Sequence, residues 1–580
     1  MDEQGSPVRS RPSALTADGA DAERELSGGD RSARRRIWFS AAADAGAAAA
    51  VIAVAAWLYH RAASFWWLGD DLFNLRYVLA YRPSQYCLDP AVWRQLPFRM
   101  LTPLLFVSYD VDLALFGPHP RGFHLHQLAA VALAAVALYG MLRLWLGRGW
   151  SLVGALLFLA GAPVLAVAPQ VMTRQYPECC LFGLLATTTW VLGLRARRRA
   201  VGWALAVLSA LLWFAAAAAK EIAVPLVLLL PLLPEGQPAL RLRRLVPHAV
   251  ALAVYVLYRW SMLGTIVGGY GWAPETAEWP RLALLLPVEI GRQLLGASGA
   301  AGWLALGLVM GGAVALVRRR GRAALVFAVG LLLALLPVLP VSMQVEPRYA
   351  LAAWLVLVVA FVFGVRPLAP GPWIAVLALL AVTVANRQLW AREEARGARM
   401  DAEYLAIVGF GAGEVLRAPL VTPASLRELR AFGRQVLGRP ISGGWFYDDV
   451  YLCGPDRPLR RLWQYDEGRR RVVEITSRLP ALRRASCVTP REGHALAAAF
   501  RLGDGVLRWR LGPYSQGRWR LVFADGVEAY EVPRHGGFQI GDPTELALRV
   551  RYDSPLGWTT YSPLLRMDFA RRANYAWSRR

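Results

Sequence analysis

Two adjacent carboxylates, Asp70 and Asp71, stand directly after the first long apolar segment of the chain, residues 37–68. Ionisable side chains at the edge of a bilayer cost solvation energy, so an acid pair in this position indicates a functional site. A carboxylate here can take a proton as a general base or bind a cation. The chemistry therefore depends on which side of the membrane the pair faces.

Two acid–base doublets occur at comparable positions further along the chain. Lys220-Glu221 lies between two apolar segments, and Lys220 is the single lysine among 65 basic residues. Glu346 and Arg348 lie between two later segments. Cationic groups at this depth can stabilise a departing phosphate. The alternative for each doublet is an internal ion pair or a charge that reaches the membrane surface.

Eleven apolar segments predict a polytopic α-helical membrane protein, because each is close to the roughly 20 residues that a crossing needs. They are 37–59, 122–145, 151–169, 177–194, 201–219, 221–237, 245–263, 300–317, 323–341, 349–365 and 371–389. Pro225 and Pro231 make 221–237 the weakest of them.

Arginine-rich loops set the predicted orientation, since basic loops favour the cytoplasm. They occur at 31–36, 143–148, 195–199, 241–244 and 318–322. With the N-terminus inside, the first outer loop is 60–121, and Asp70 and Asp71 are extracytoplasmic. Eleven crossings also place everything after the last segment outside.

The composition agrees with a membrane protein that has a polar tail. Hydrophobic residues make up 56% of the 580, and the net charge is +24. In a soluble protein such a charge would suggest nucleic acid. Here we attribute it to topology signals and to contact with membrane lipid, and no nucleic-acid partner is expected. Arginine in place of lysine is typical of a GC-rich bacterial genome. A multi-span protein of such a bacterium is expected in the inner membrane.

The predicted organisation has four parts. Residues 1–36 form a disordered cytoplasmic tail, and 37–390 form the transmembrane domain. Residues 391–490 are a juxtamembrane mixed region, of which 440–490 has no assigned structure. Short alternating runs separated by turns predict an extracytoplasmic β-sandwich over 491–580. Cys453 and Cys487, both in the juxtamembrane region, are predicted to form a disulfide, because both would face an oxidising compartment.

The position of the acid pair limits the reaction that it can serve. Nucleotide sugars and ATP are absent outside the membrane, so a group transfer there needs a donor delivered through the lipid. A polyprenyl-phosphate sugar meets that need. One carboxylate would take the proton of the acceptor hydroxyl while the anomeric carbon gains oxocarbenium character.

The motifs also resemble a family. The chain is similar to GT-C glycosyltransferases, and within them to protein O-mannosyltransferases of the branch with tetratricopeptide tails. The resemblance spans residues 37–390 and is carried, in the family's order, by Gly69-Asp70-Asp71, Phe98-Arg99-Met100-Leu101-Thr102, Gly122-Phe123-His124, Lys220-Glu221 and Glu346-Pro347-Arg348-Tyr349. Three features depart from the family: Met100 replaces a proline, Gln127 replaces an asparagine, and the tail has no 34-residue repeat.

The resemblance implies roles for these residues. Asp70 would be the catalytic base and Asp71 its partner, while Lys220 and Arg348 would bind the donor phosphate. Supporting or acceptor-site roles would fall to four further residues, Arg99, His124, Glu221 and Glu346. The acceptor is a protein, a lipid or a glycan.

No cofactor is expected, and a divalent metal held by histidines and the acid pair is the alternative. His119, His124 and His126 lie close together in the sequence, but their spacing matches no defined metal geometry. Two other functions stay open at this point. A transporter or flippase would place polar residues at the midplane of the membrane. A non-enzymatic anchor for a sugar-binding β-sandwich would leave the acid pair and the doublets without a role.

Overall fold

The computed structural model has a helical membrane part followed by a β-rich C-terminal part, which confirms the predicted fold class. It describes residues 40–95, 100–266, 300–319, 321–338, 346–436, 438–453, 459–487, 494–503, 505–523, 526–540 and 543–579. The predicted disordered tail, 1–36, lies outside these residues, as does Arg99.

Among the described residues, eight helices are long and apolar enough to cross a membrane. They are Ser40–Ser64, Pro120–Leu142, Val171–Arg195, Arg199–Ala219, Pro238–Leu263, Ala300–Arg319, Pro347–Val365 and Gly371–Gly409. Each coincides with a predicted span. With all α-helices numbered in chain order, including the short ones, the first of these is α1 and the last, which has 39 residues, is α16.

The remaining three predicted spans form shorter apolar helices, Arg148–Ala160, Glu221–Leu232 and Ala323–Val338. Proline explains the second, because Pro225 and Pro231 remove backbone donors and the segment adopts a 3₁₀ conformation. Gly161 ends the first, and a Cβ at this position would collide with the Trp354 indole.

Between α1 and the second spanning helix lie four short helices: α2 (Asp71–Ala80), α3 (Pro83–Leu88), α4 (Pro90–Arg94) and α5 (Pro103–Phe116). They occupy the predicted first outer loop. Their apolar faces share one core with the tail, in which Leu75 and Phe106 belong to the same cluster as Tyr404 and Leu426.

Arginines of different loops gather at the opposite end of the helices. Arg143 and Arg148 both pair with Asp44 of α1, at 2.9 and 3.0 Å. Arg195 donates to the Leu144 carbonyl at 3.0 Å, and Arg366 donates to the Trp145 carbonyl at 3.4 Å. The described arginine-rich loops 143–148 and 195–199 thus share one end of the membrane part with Asp44 of α1, and the acid pair lies beyond the other end of α1.

A small α/β unit follows α16. Its sheet has the order β2-β1-β3-β4, in which β1 runs parallel to both β2 and β3. The strands are β1 (Glu414–Arg417), β2 (Gly444–Phe446), β3 (Arg461–Asp466) and β4 (Arg471–Glu474), and the helices are α17 (Pro423–Gln435) and α18 (Leu479–Cys487). This unit contains most of the segment to which the sequence assigned no structure.

After this unit, nine antiparallel strands of the described residues form a sandwich. They are β5 (Leu496–Gly503), β6 (Val506–Gly512), β7 (Arg518–Phe523), β8 (Glu528–Val532), β9 (His535–Gln539), β10 (Glu545–Asp553), β11 (Thr559–Tyr561), β12 (Leu565–Asp568) and β13 (Asn574–Arg579). One sheet has the order β11-β10-β7-β8 with β12 beside β10, and the other has the order β13-β5-β6-β9. Their inner faces bury residues such as Trp509, Leu521 and Val550.

Candidate active site

The turn that carries the acid pair depends on Gly69. Its φ of +54° lies in the left-handed region, which favours glycine. A Cβ there would sit 2.8 Å from the Met172 sulfur, and the same sulfur accepts the Asp70 N–H at 3.0 Å. Asp70 then precedes α2, and Asp71 occupies its first turn. The turn therefore sends the two carboxylates to different environments.

Asp71 is fully buried and serves the structure of this turn. Its carboxylate accepts the Met172 N–H at 2.5 Å, the Leu68 N–H at 2.8 Å and the Tyr109 hydroxyl at 3.1 Å. Burial raises the pKa of Asp71 to about 7, and the two backbone hydrogen bonds oppose that increase. With its oxygens engaged in this way, Asp71 ties the loop to the segment around Met172.

Behind Tyr109 lies a buried ionic network that the sequence analysis did not identify. Arg174 is fully buried and binds Asp112 at 2.5 Å and the Phe123 carbonyl at 2.6 Å. His126 contacts the same Asp112 at 2.7 Å. The Arg174 guanidinium also lies 5.4 Å from the Tyr109 ring, so the network supports the residue that binds Asp71.

Asp70 differs from its neighbour because its side chain is exposed. Within the described residues, its carboxylate makes no hydrogen bond or ion pair. The protein packed around it raises the pKa of Asp70 by desolvation, the positive charge of Arg348 lowers it, and the negative charge of Glu346 raises it. A carboxylate that is accessible, unengaged and more basic than usual has the properties of a general base.

The two predicted phosphate ligands lie near each other on separate elements. Lys220 follows the helix Arg199–Ala219 and is 5% exposed; its ammonium lies 3.5 Å from the Met100 sulfur and 5.2 Å from the Tyr176 ring. Arg348 pairs with Glu346 at 2.9 Å. The Tyr176 ring lies beside Lys220 and the Tyr349 ring lies beside Arg348, and the centres of these two rings are 6.4 Å apart.

The doublet Lys220-Glu221 is not an internal ion pair. Glu221 instead pairs with Arg259 and accepts the Leu101 N–H at 2.9 Å. Among the described residues, no carboxylate lies within ion-pair distance of the Lys220 ammonium. The Lys220 ammonium contacts only a thioether and an aromatic ring among these neighbours, so most of its N–H donors are available to an anion.

His124 binds the backbone at Trp66, shortly before the acid pair. Its Nε2 is 2.8 Å from the Trp66 carbonyl, and the side chain is fully buried. This geometry gives His124 a positioning role. In the part of the chain that the structure describes, no group of three or more His, Cys, Asp and Glu side chains is arranged to hold a metal ion.

The tail contacts the same turn from the other side, which the sequence did not reveal. The Ser425 hydroxyl of α17 donates to the Gly69 carbonyl at 2.7 Å, and Glu428 pairs with Arg76 of α2 at 2.5 Å. Asp401, in the polar extension of α16, accepts the Trp66 N–H at 2.6 Å. Residues after the last span therefore bind the chain on both sides of the acid pair: at Trp66 and Gly69 before it, and at Arg76 after it.

The predicted disulfide and a second pair of adjacent acids lie in the tail. Cys453 and Cys487 form a disulfide with their Cα atoms 5.3 Å apart. Asp448 and Asp449, a second acid pair, both form ion pairs: Asp448 with Arg551 at 2.7 Å, and Asp449 with Arg417 at 2.6 Å. The second acid pair is therefore structural.

No family model and no curated protein matches the chain, whereas several solved structures do. ArnT from Cupriavidus metallidurans in the apo state is 15% identical, with 72% of this chain and 87% of that chain covered and a TM-score of 0.42. The same protein bound to undecaprenyl phosphate is 16% identical, with 68% and 89% covered and a TM-score of 0.41. The Archaeoglobus fulgidus oligosaccharyltransferase in complex with Zn and sulfate is 10% identical, with 84% and 73% covered and a TM-score of 0.42.

Both neighbours are GT-C glycosyltransferases, the class that the sequence motifs resemble. Neither is a protein O-mannosyltransferase, so that narrower resemblance stays a prediction. At these identities the chemistry of the site has to be argued from its own residues.

Proposed function

We propose that this protein is an integral-membrane glycosyltransferase that moves a sugar from a polyprenyl-phosphate donor to an extracytoplasmic acceptor. The observation that carries the proposal is the Asp70 carboxylate, which is accessible, unengaged by described residues and raised in pKa, beside the charge of Arg348. Asp70 takes the proton from the acceptor hydroxyl as that oxygen attacks the anomeric carbon. Asp71 positions Asp70 and does not touch the substrate.

Lys220 and Arg348 act on the leaving group. The bond between the anomeric carbon and the phosphate oxygen breaks as the new glycosidic bond forms, and negative charge builds on the carrier phosphate. A buried ammonium and a guanidinium at the ends of two membrane helices stabilise that charge without having to reorganise. The positions of these cations at helix ends suit a phosphate at the membrane interface.

The different engagement of the nearby carboxylates supports inversion at the anomeric carbon: Asp70 has no described partner, whereas Glu346 pairs with Arg348. A retaining mechanism through a glycosyl-enzyme needs a carboxylate nucleophile in addition to the acid/base group. Asp71 accepts three hydrogen bonds and is fully buried, so it is not available for that role. Direct displacement needs only the base, because a phosphate departs without protonation.

The sugar that fits this proposal is a hexose or a pentose, and the acceptor is a protein, a lipid or a glycan of the bacterial envelope. Mannose and a protein hydroxyl are the pair that the motif resemblance suggests. The reaction needs no cofactor in this scheme, since the donor is already activated by its phosphate.

Asp70→Asn tests the proposal against Asp71→Asn. We expect Asp70→Asn to lower transfer by about 10²- to 10⁴-fold, because the amide cannot take the proton. Asp71→Asn should retain more activity but lower the free energy of unfolding by about 1–3 kcal/mol, because the amide nitrogen faces hydrogen-bond donors. The measurements are sugar transfer in a deletion strain complemented with each variant, by mass spectrometry of envelope glycans and glycoproteins, and thermal unfolding of the purified proteins.

The deletion strain should also accumulate the unused polyprenyl-phosphate sugar, and the Asp70→Asn strain should do the same. Purified Asp70→Asn should still bind polyprenyl phosphate, since Lys220 and Arg348 are intact. Near-normal transfer by Asp70→Asn, or equal losses of activity in both variants at equal protein level, would remove Asp70 from the role of base.

A further inference from the structure

The outer face of the sheet β13-β5-β6-β9 carries three arginines close together. Arg501 of β5 stands directly opposite Arg508 of β6, and Arg510 follows on the same face of β6. A groove of about 390 Å³ runs along this face, and its lining includes these arginines with Ala499, Asn574 and Ala576.

Acidic side chains are missing from the described part of this face. Besides the arginines, the register places only small, neutral or imidazole side chains outward from the groove strands: Ala497, Ala499, Val506, Gly512, His535, Gly537, Asn574, Ala576 and Ser578. None of the three arginines forms an ion pair with a described residue. Burial lowers the pKa of His535, and the charges of Arg534 and Arg510 lower it further, as expected for an uncompensated positive field.

The other sheet of the same sandwich has arginines of both kinds: Arg520 and Arg551 form ion pairs, whereas Arg518, Arg549 and Arg566 form none with a described residue. Arg551 pairs with Asp448 at 2.7 Å and with Asp553 at 2.8 Å, and Arg520 approaches Asp553 at 3.9 Å. That face contacts the α/β unit through Asp448. Arg520 and Arg551 stand directly opposite each other, as Arg501 and Arg508 do, but Asp553 lies beside both of them. The opposed pair Arg501–Arg508 has no such acidic partner among the described residues.

Like charges directly opposite each other on neighbouring strands destabilise a sheet. The Arg501–Arg508 pair thus costs stability in the free protein, and a bound anion would remove that cost. Guanidinium groups bind carboxylate and phosphate oxygens through two parallel hydrogen bonds. We propose that the outer face of this sheet binds an extended anionic glycan, whose acidic groups pair with Arg501, Arg508 and Arg510. This binding does not depend on the proposed transferase reaction.

The shape of the face favours a glycan over a bilayer surface. Membrane-binding surfaces present large apolar side chains that insert among the lipids. Here the large residues of the groove lining, Phe500, Trp509 and Tyr575, pack into the core of the sandwich. The apolar residues that the register places outward are small, and the largest of them, Val506, is 4% exposed. The exposed Asn574 amide at the edge can hydrogen-bond sugar hydroxyls. A chain of acidic sugars fits an open groove whose charged side chains are all arginines.

Binding of polygalacturonate to the full-length protein in zwitterionic nanodiscs tests the proposal. We expect binding that weakens with added salt, and no binding of dextran, a neutral glycan. The double variant Arg501→Gln/Arg508→Gln should bind polygalacturonate at least about tenfold more weakly, because it loses two charge-assisted contacts. Its melting temperature without glycan should stay the same or rise, because the repulsive pair is gone.

The matched control is Arg518→Gln/Arg571→Gln, which removes two exposed arginines elsewhere on the sandwich and should change the affinity by less than about twofold. If the first double variant fails to fold, Arg510→Gln serves in its place. Equal affinities for polygalacturonate and dextran, or an unchanged affinity in the groove variants, would overturn the proposal. Arginine-dependent binding to phosphatidylglycerol vesicles without binding to polygalacturonate would overturn it in favour of a lipid surface.

Discussion

At the scale of the residue, the site shows how two identical side chains acquire different tasks. Asp70 and Asp71 are adjacent, yet one is exposed and the other is fully buried. Three donors fix the Asp71 carboxylate, whereas the Asp70 carboxylate has no described hydrogen-bond donor and lies in the fields of Arg348 and Glu346. Environment, and not residue type, separates the proposed base from the residue that positions it.

The charge of Arg348 has a consequence for the pH dependence of the reaction. Asp70 must be deprotonated to act, so kcat/KM should fall as the pH drops through its pKa. Arg348 lowers that pKa. Arg348→Gln should therefore move the acidic limb of the kcat/KM profile to higher pH, by up to about one unit, besides reducing the rate. A pH profile with the purified enzyme and its lipid donor measures this shift.

Lys220→Gln is the control for this prediction. Lys220 is not among the charges that act on Asp70, so this variant should use the donor less well with the acidic limb unchanged. If both variants leave the limb in place, Asp70 is not the group that titrates. If both shift it equally, the separate roles given to the two cations are wrong.

Individual partners of the acid pair could not be predicted from the sequence. Lys220, Arg348 and Asp70 stand out because charges beside long apolar segments are rare. Tyr109 and Met172 do not, since their contacts with Asp71 join positions 38 and 101 residues away along the chain. Arg174 is one arginine among many, and only the fold shows that it is fully buried against Asp112. Arg99 was predicted from a motif and lies outside the described residues.

At the scale of the element, apolar length predicts helices well and their ends less well. Each of the eleven predicted spans is a helical segment, but Gly161 and the prolines at 225 and 231 shorten two of them. In the sandwich, β9 has the sequence His-Gly-Gly-Phe-Gln. Glycine has a low β-propensity, so two adjacent glycines do not indicate a strand in the sequence. The short parallel strands β1 and β2 carry too few residues for a period-2 pattern.

The contact between α17 and α2 predicts an effect of the tail on catalysis. Ser425→Ala/Glu428→Gln removes the hydrogen bond to the Gly69 carbonyl and the ion pair with Arg76. We expect faster hydrogen exchange in residues 69–80 and a fall in kcat of about tenfold, with donor KM nearly unchanged, because the base is held less firmly. Hydrogen-exchange mass spectrometry and steady-state kinetics measure the two effects.

Arg427→Gln provides the comparison on the same helix. Arg427 pairs with Glu528 of the sandwich, so its loss loosens α17 from β8 and leaves the contacts with α2 intact. This variant should keep normal exchange in residues 69–80 and normal kcat. Equal effects of the two changes would show that the tail acts through general stability, and an unchanged kcat in the double variant would separate the tail from the site.

At the scale of the whole molecule, side-chain contacts indicate on which side of the membrane the tail lies, a question that the number of spans leaves open. Eight long helices alone would return the tail to the side of residue 40, whereas eleven segments would not. The loop after α1 lies one crossing from residue 40, and Ser425 and Asp401 both bind that loop. The tail and the acid pair therefore share one side of the membrane, opposite the end where Arg143 and Arg148 meet Asp44.

Which compartment that side faces is a prediction from the arginine-rich loops, and reporter fusions test it. Alkaline phosphatase joined after Arg580 should be active, because basic loops favour the cytoplasm and the tail lies at the other end. Cys453 and Cys487 should resist alkylation in intact cells until they are reduced, as expected for a disulfide in an oxidising compartment. A fusion within the loop 143–148 is the control and should be inactive. A cytoplasmic fluorescent reporter that lights up after Arg580, with a silent phosphatase, would reverse the orientation and leave Asp70 on the side where nucleotide sugars are available, which would remove the reason for a lipid-borne donor.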